Sequence, residues 1–389
     1  MRKYATVIAS FVIMLCLGSV YAWSLLAGEL MKTFHFSSTR TQIVFGMIIA
    51  IFPLTMLFSA RLWQKVQARV IGYLSGVLFL AGYTLASLSE GNYFLILAGC
   101  GILAGIGTGF GYWVAITIPV QWFPGNKGLI TGISSAGFGL GAIVMSDVSE
   151  RLLSEGRDIL QLFAIAGIAY GLIILLMSNL IAEKAKKMDK TKIQLLVGFR
   201  NNAFKRLFAG MFLGTFAGLL TIGNLSSIGS LANLTHHTLV SGVSAFAAAN
   251  FAGRISWGWI VDYTGASLSI FAALFIQSVA IFLLFATQLS APVFLILSTL
   301  TGFGFGGNFV LFAKETAQEF GLKNLGTTYP YVFLGYAIAG LAGPLTGGLL
   351  FDLSGDYSIA LLASGSMSLA GSLLFFIHYI QRRKHAQNV

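Results

Sequence analysis

The sequence predicts an all-α membrane protein of twelve transmembrane helices, arranged as two pseudo-symmetric six-helix halves. Three observations carry this. Of 389 residues, 56% are hydrophobic and only 10% charged, which excludes both a soluble globular domain and a disordered chain. The apolar residues fall into twelve runs, each long enough to cross about 30 Å of hydrocarbon as a helix. The basic residues gather at alternate ends of those runs.

The first run, 5–30, follows Arg2 and Lys3 and ends in small residues around GSVYA, so it imitates a secretory signal. Cleavage would leave an odd number of spans, and it reads as an uncleaved first helix. The runs 41–61, 70–88, 93–119, 128–149 and 159–182 complete a first half, 1–182. A Lys-rich connection, 183–205, reads as a solvated linker. The second half, 206–389, holds the runs 206–233, 239–261, 267–287, 292–313, 326–350 and 357–379. The connections are too short for a separate soluble domain, so the work is done within the membrane.

The net charge of +11 would suit a nucleic-acid binder, but its distribution excludes one. With both termini on one side, the opposite side carries only Lys32, Arg40, Arg151 and Arg157. Apart from Arg254, the remaining Lys and Arg fall on the terminal side. That bias predicts a multi-pass protein of the cell (inner or plasma) membrane with both termini cytoplasmic.

The halves repeat. A shift of 197 residues carries Gly105, Gly107 and Gly109 onto Gly302, Gly304 and Gly306, and Gln121 and Phe123 onto Gln318 and Phe320. A one-residue slip sets 60–69 over 258–267, each between the second and third spans of its half. Small-xxx-small steps at Gly105/Gly109, Gly137/Gly141 and Gly302/Gly306 let helix backbones approach closely.

Arg254, in AFAAANFAGRISWGWIV, is the one fixed charge deep inside a run. An arginine there costs about 2.5–3.5 kcal/mol on insertion scales, so it faces a cavity or a partner. It remains protonated at any working pH, and an anion is the ligand this implies. The carboxylates Glu29, Glu90, Asp147, Asp262, Glu315 and Asp352 lie at or near run ends. His236 and His237 lack Cys or carboxylate neighbours at ligand spacing, and no metal site, cofactor site or nucleophile with a base is expected. Cys16 and Cys100 form no motif.

GWIVDYTG at 258–265 resembles the loop signature of the major facilitator superfamily. Asp262 is its acidic residue, expected to cap the next helix or pair with a loop Arg as a conformational latch. The first-half copy has Gln64 in place of the Asp. Further segments are similar to the oxalate–formate antiporter family and its monocarboxylate-carrying relatives. They are GSVYAWSLL (18–26), GIGTGFGYW (105–113), WFPGNKGLITG (122–132), NFAGRI (250–255), GGNFVLF (306–312) and NLGTTYPYVFLGYAIAGLAGP (324–344).

The resemblance implies a major facilitator fold and a transporter rather than an enzyme. It makes Arg254 the carboxylate ligand, with Tyr112 and Tyr21 at aromatic positions lining the cavity. In the oxalate carrier a lysine on the eleventh span binds the second carboxylate; Tyr336 stands there in this chain. One buried cation balances one negative charge, which favours a small monocarboxylate of the lactate, pyruvate, acetate, glycolate or formate type over oxalate. Animal monocarboxylate carriers pair an Asp with the arginine four residues later. Asn250 occupies that position here and cannot titrate.

The remaining candidates have two readings each. Tyr112, Trp113, Tyr21 and Tyr336 either contact substrate or pack between helices. Asn250, Asn308 and Asn224 either contact substrate or hydrogen-bond between helices. The expected partners are a small carboxylate, a proton or counter-anion, and the bilayer, with no nucleic acid and a monomeric carrier. Drug antiporters of the superfamily carry Gly-Pro on the fifth span, where this chain reads GFGLGAI, which counts against proton-driven efflux of hydrophobic compounds. A non-transporting nutrient sensor is the rival from another class.

Overall fold

The computed structural model describes residues 2–123, 127–184, 201–321 and 325–387. The expected linker, 183–205, falls largely outside them, as do residues 124–126 and Asn324 of the quoted motifs. The described residues form helices joined by short turns, with no strand among them. In the first half these are α1 (Arg2–Phe34), α2 (Ser38–Leu62), α3 (Ala68–Ser87), α4 (Tyr93–Trp122), α5 (Lys127–Ser154) and α6 (Ile159–Ser178). In the second they are α7 (Asn202–Leu231), α8 (His236–Thr264), α9 (Ala266–Ala286), α10 (Ala291–Phe320) and α12 (Ser358–Gln387). Between the last two, α11 runs Leu325–Val332 and continues, past a turn at Phe333, as Leu334–Ser354. The chain separates into two compact units, Met1–Thr191 and Lys192–Val389.

Eleven of these helices are long and apolar enough to cross a membrane. The other, α8, is 29 residues long, and Asn250, Arg254 and several small polar residues dilute its apolar character. The helices overrun the apolar runs at many ends: α10 reaches Phe320 and α12 reaches Gln387. Backbone hydrogen bonding continues past the hydrocarbon boundary, whereas hydropathy stops at it. The sixth run departs furthest in the other direction. Its helix stops at Ser178, and the following chain turns so that Ala182 N–H donates to Thr6 Oγ1 (3.1 Å) and Trp122 Nε1 donates to the Ala182 carbonyl (2.7 Å).

Side-chain caps start the helices where the sequence places Ser, Thr, Asn or Asp. Ser37, Asn92, Asp158, Asn201 and Thr235 each accept a first-turn backbone N–H. α1 tightens to a 3-10 turn over Gly18–Ala22, and α4 widens to a π-helical turn over Leu97–Leu103.

Glycine seams build both halves in the same way. A Cβ at Gly105 would press on the Ile48 backbone, and one at Gly109 on the Phe52 carbonyl, closing α4 onto α2. In the second half Gly302 meets the Phe246 carbonyl and Gly306 the Asn250 carbonyl, closing α10 onto α8. On the other face of the same helices, Gly107 meets the Ser75 carbonyl and Gly304 the Ala273 carbonyl. A shift of 197 for the glycines and 198 for their partners converts one set into the other, so the sequence repeat is a repeat of packing.

Candidate functional site

The α8–α10 seam fixes the backbone that carries Arg254. Gly253 of α8 lies against the Phe303 carbonyl while Gly302 and Gly306 of α10 lie against α8, so the helices interlock from both sides. Trp257 Nε1 donates to the Phe303 carbonyl at 3.1 Å and pins the same crossing one turn further on. Arg254 is 4% exposed. Its Nε donates to Asn250 Oδ1 at 3.1 Å, the four-residue spacing that places both side chains on one helix face. Because an arginine only donates, this contact also settles which end of the Asn250 amide is oxygen. Asn250 is fully buried, and its Nδ2 has no acceptor among the described residues.

The guanidinium lies over the ring of Phe309, 4.3 Å from its centroid. Such a contact contributes about 0.5–2 kcal/mol and leaves the in-plane N–H groups to hydrogen-bond. Phe309 is in turn held edge-on by Tyr336 (5.4 Å, 74°) and Phe305 (5.3 Å, 87°), and Tyr336 stacks on Phe333 (5.0 Å, 22°). Tyr329 hydroxyl donates to the Phe309 carbonyl at 3.1 Å. The second unit thus gathers one cation, one amide and an aromatic wall from α8, α10 and α11. Arg254, Asn250 and Tyr336 come together as expected residues. Phe309 joins them unforeseen, because nothing distinguishes it in sequence from the other phenylalanines.

Asn308 and Asn224 do not join them. Asn308 precedes Phe309 and is rotated about 100° around α10. It lies against Gly214 of α7, with its Nδ2 donating to the Phe305 carbonyl at 3.0 Å. Asn224 lies against Gly347 of α11 and donates to its own helix at Leu220 (2.8 Å). Both occupy helix seams.

In the first unit Tyr21, Tyr112 and Phe52 surround Phe138. Tyr21 meets Phe138 edge-on (5.2 Å, 85°), as does Tyr112 (5.4 Å, 78°), and Tyr112 lies 5.2 Å from Phe52. By the repeat, Phe52 is the counterpart of Asn250 and Met56 that of Arg254, so the first half is apolar where the second is charged. Trp113 turns away and packs on Trp63 (5.5 Å).

Asp262 takes a different partner from those expected. Lys314 Nζ donates to its carboxylate at 2.8 Å, with both side chains substantially exposed, while Gly265 precedes α9 and gives it no side-chain cap. Glu315, expected simply at a run end, is fully buried there because α7, α9 and α12 close around it. Its Oε1 accepts from Ser267 Oγ (2.9 Å) and Arg382 Nη1 (3.4 Å). Glu319 accepts from Arg206 Nη2 (2.6 Å) and Arg382 Nη2 (3.0 Å), and His378 Nε2 lies 3.3 Å from the same oxygen. Glu315, Glu319 and His378 present ligand-type atoms within 4.8 Å of one another. Two guanidiniums already balance the two carboxylates, so the arrangement is an ion-pair network between helices. Sequence spacing could not reveal it, since its members come from four helices.

A family model described as Major Facilitator Superfamily matches residues 6–329. The chain is 26% identical over 347 residues to an uncharacterized MFS-type transporter, YhjX, of Escherichia coli (strain K12), covering 87% of this chain and 86% of the relative. It is 25% identical over 386 residues to the oxalate:formate antiporter of Oxalobacter formigenes, covering 97% and 91%. It is 23% identical over 354 residues to monocarboxylate transporter 12 of Mus musculus, covering 81% and 72%.

Proposed function

The chain belongs to the major facilitator superfamily, a family of transporters rather than enzymes, and on that premise we propose that it carries small monocarboxylate anions by alternating access. A small-molecule substrate and a multi-pass membrane location follow from the family and the spans. Under this proposal Arg254 is the carboxylate clamp. The single observation that supports it best is the buried guanidinium, oriented by Asn250 and backed by Phe309. A guanidinium presents a planar fork that matches the two oxygens of a carboxylate.

The substrate has one carboxylate in this account. Tyr336 replaces the lysine that a dicarboxylate carrier would use, and it is fully buried within the aromatic wall beside Phe309. A second ionised carboxylate there would be desolvated without a countercharge, at a cost of several kcal/mol. Asn250 orients the arginine and does not titrate, which favours exchange of one anion for another over proton symport. A bound anion beside a buried guanidinium lowers the electrostatic cost of carrying the charge through the cycle. The protein works as a monomer in the cell membrane with both termini cytoplasmic.

Exchange in proteoliposomes tests the proposal. Vesicles loaded with an unlabelled monocarboxylate are expected to accumulate labelled external monocarboxylate, and empty vesicles are not. Uptake of equal rate into empty vesicles under an imposed proton gradient would overturn the exchange mechanism. Uptake of lipophilic cations in place of acids would overturn the substrate class.

A further inference from the structure

Two surface grooves share one chemistry. The larger, of about 460 Å³, runs along the end of α12 and is lined by Phe376, Tyr379, Ile380, Arg383 and Lys384. The other, of about 280 Å³, lies at the end of α2 and is lined by Phe58, Arg61, Leu62, Lys65 and, from α4, Phe110. Each has two cations at its mouth and an apolar floor, and no carboxylate is among the described residues that line either one.

The floors are continuous with the outward apolar surface of their helices. Phe58 is 63% exposed, and Phe376 and Ile380 are over one-third exposed. In water such rings would be a liability, whereas acyl chains cover them without loss. The cations follow the apolar stripe along the chain, an order that suits lipid headgroups above acyl chains. On α12 neighbouring arginines divide the work: Arg382 turns inward to Glu315 and Glu319, leaving Arg383 and Lys384 on the groove. Interior ion pairing therefore accounts for Arg382 and not for the other two.

We propose that these grooves are binding sites for anionic glycerophospholipids of the cytoplasmic leaflet. The phosphate sits between Arg383 and Lys384, within reach of the Tyr379 hydroxyl, and between Arg61 and Lys65 in the first half. The acyl chains lie along Phe376 and Ile380, and along Phe58 and Leu62. An acidic peptide would satisfy the cations but not the lipid-facing floor; a zwitterionic lipid would cover the floor but bring its own ammonium to the cations. Each basic residue near an anionic headgroup contributes about 1 kcal/mol, so neutralising both in one groove weakens retention about thirtyfold.

The test is native mass spectrometry of the purified full chain after incubation with phosphatidylglycerol or phosphatidylcholine in mixed micelles. Wild type is expected to retain up to two phosphatidylglycerol molecules in preference to phosphatidylcholine. R383Q/K384Q and R61Q/K65Q each lose one, and the quadruple variant loses both. R157Q, which removes a cation from the opposite side, retains lipid as wild type does. Melting temperature without added lipid, unchanged in the variants, separates lost binding from lost folding. Equal retention of the two lipids by wild type overturns the proposal, as does undiminished phosphatidylglycerol on the neutralised variants. Equal loss in R157Q would reduce the effect to net charge, and displacement by soluble glycerol phosphate would make the site one for free phosphate esters; both outcomes also overturn it.

Discussion

Replacing Asn250 with Asp places a carboxylate where the amide oxygen now accepts from Arg254 Nε at 3.1 Å. With charge centres about 4 Å apart and an effective dielectric constant of about 20, the new ion pair is worth about 4 kcal/mol. Substrate anions must compete with it. Allowing half of that energy to be offset by desolvation of the new charge, monocarboxylate affinity falls by about 2 kcal/mol, or roughly thirtyfold. The loss should hold across about pH 6 to 8, because the introduced carboxylate beside Arg254 stays ionised throughout that range, as small carboxylic acids do. Wild-type affinity is expected to be flat over the same range. Isothermal titration with a monocarboxylate at both ends of that range reads the loss and its independence of pH directly. A variant that binds with wild-type affinity at both pH values would refute the reasoning, since the Asn250–Arg254 contact would then lie away from the anion.

Three further outcomes follow from the same geometry. Arg254→Lys keeps the charge but loses the fork and the Nε contact to Asn250, and is expected to weaken monocarboxylate binding by about 1.5–3 kcal/mol, read as Kd by titration. Gly306→Ala drives a methyl group into the Asn250 carbonyl and should lower stability by about 1–3 kcal/mol, whereas Gly132→Ala, inside a helix with open space around it, should hold or raise the melting temperature. Glu315→Gln removes the fully buried carboxylate of an ion-pair network and should cost about 1–3 kcal/mol, while Asp262→Asn, in an exposed pair, should cost about 1 kcal/mol or less; thermal melts of the two variants compare them.

The helical architecture was legible because hydrocarbon thickness imposes a length on every span, and the repeat because close helix crossings demand glycine at matching places. Arg254 stood out by depth, and Asn250 by its four-residue spacing on the same face. Depth alone does not say which neighbour a side chain meets. Asn308 and Asn224 were polar at the right height yet face Gly214 and Gly347 in helix seams. Trp113 follows Tyr112 directly and consequently points elsewhere, to Trp63. Phe309 and the Glu315 network were hidden for a related reason: each acquires its role from residues on other helices, and one sequence without its packing carries no trace of that. The end of α6 at Ser178 was missed because hydropathy does not register hydrogen bonds to Thr6 and Trp122.

Thermal stabilisation of purified wild type and Arg254→Ala across mono- and dicarboxylates bears most directly on the clamp. A ligand at one hundred times its Kd stabilises the folded protein by about 2.7 kcal/mol, enough to be read as a rise in Tm. The account predicts that a small monocarboxylate gives the largest shift in wild type and that Arg254→Ala loses it. A larger shift with oxalate, or a monocarboxylate shift that survives in Arg254→Ala, would contradict it.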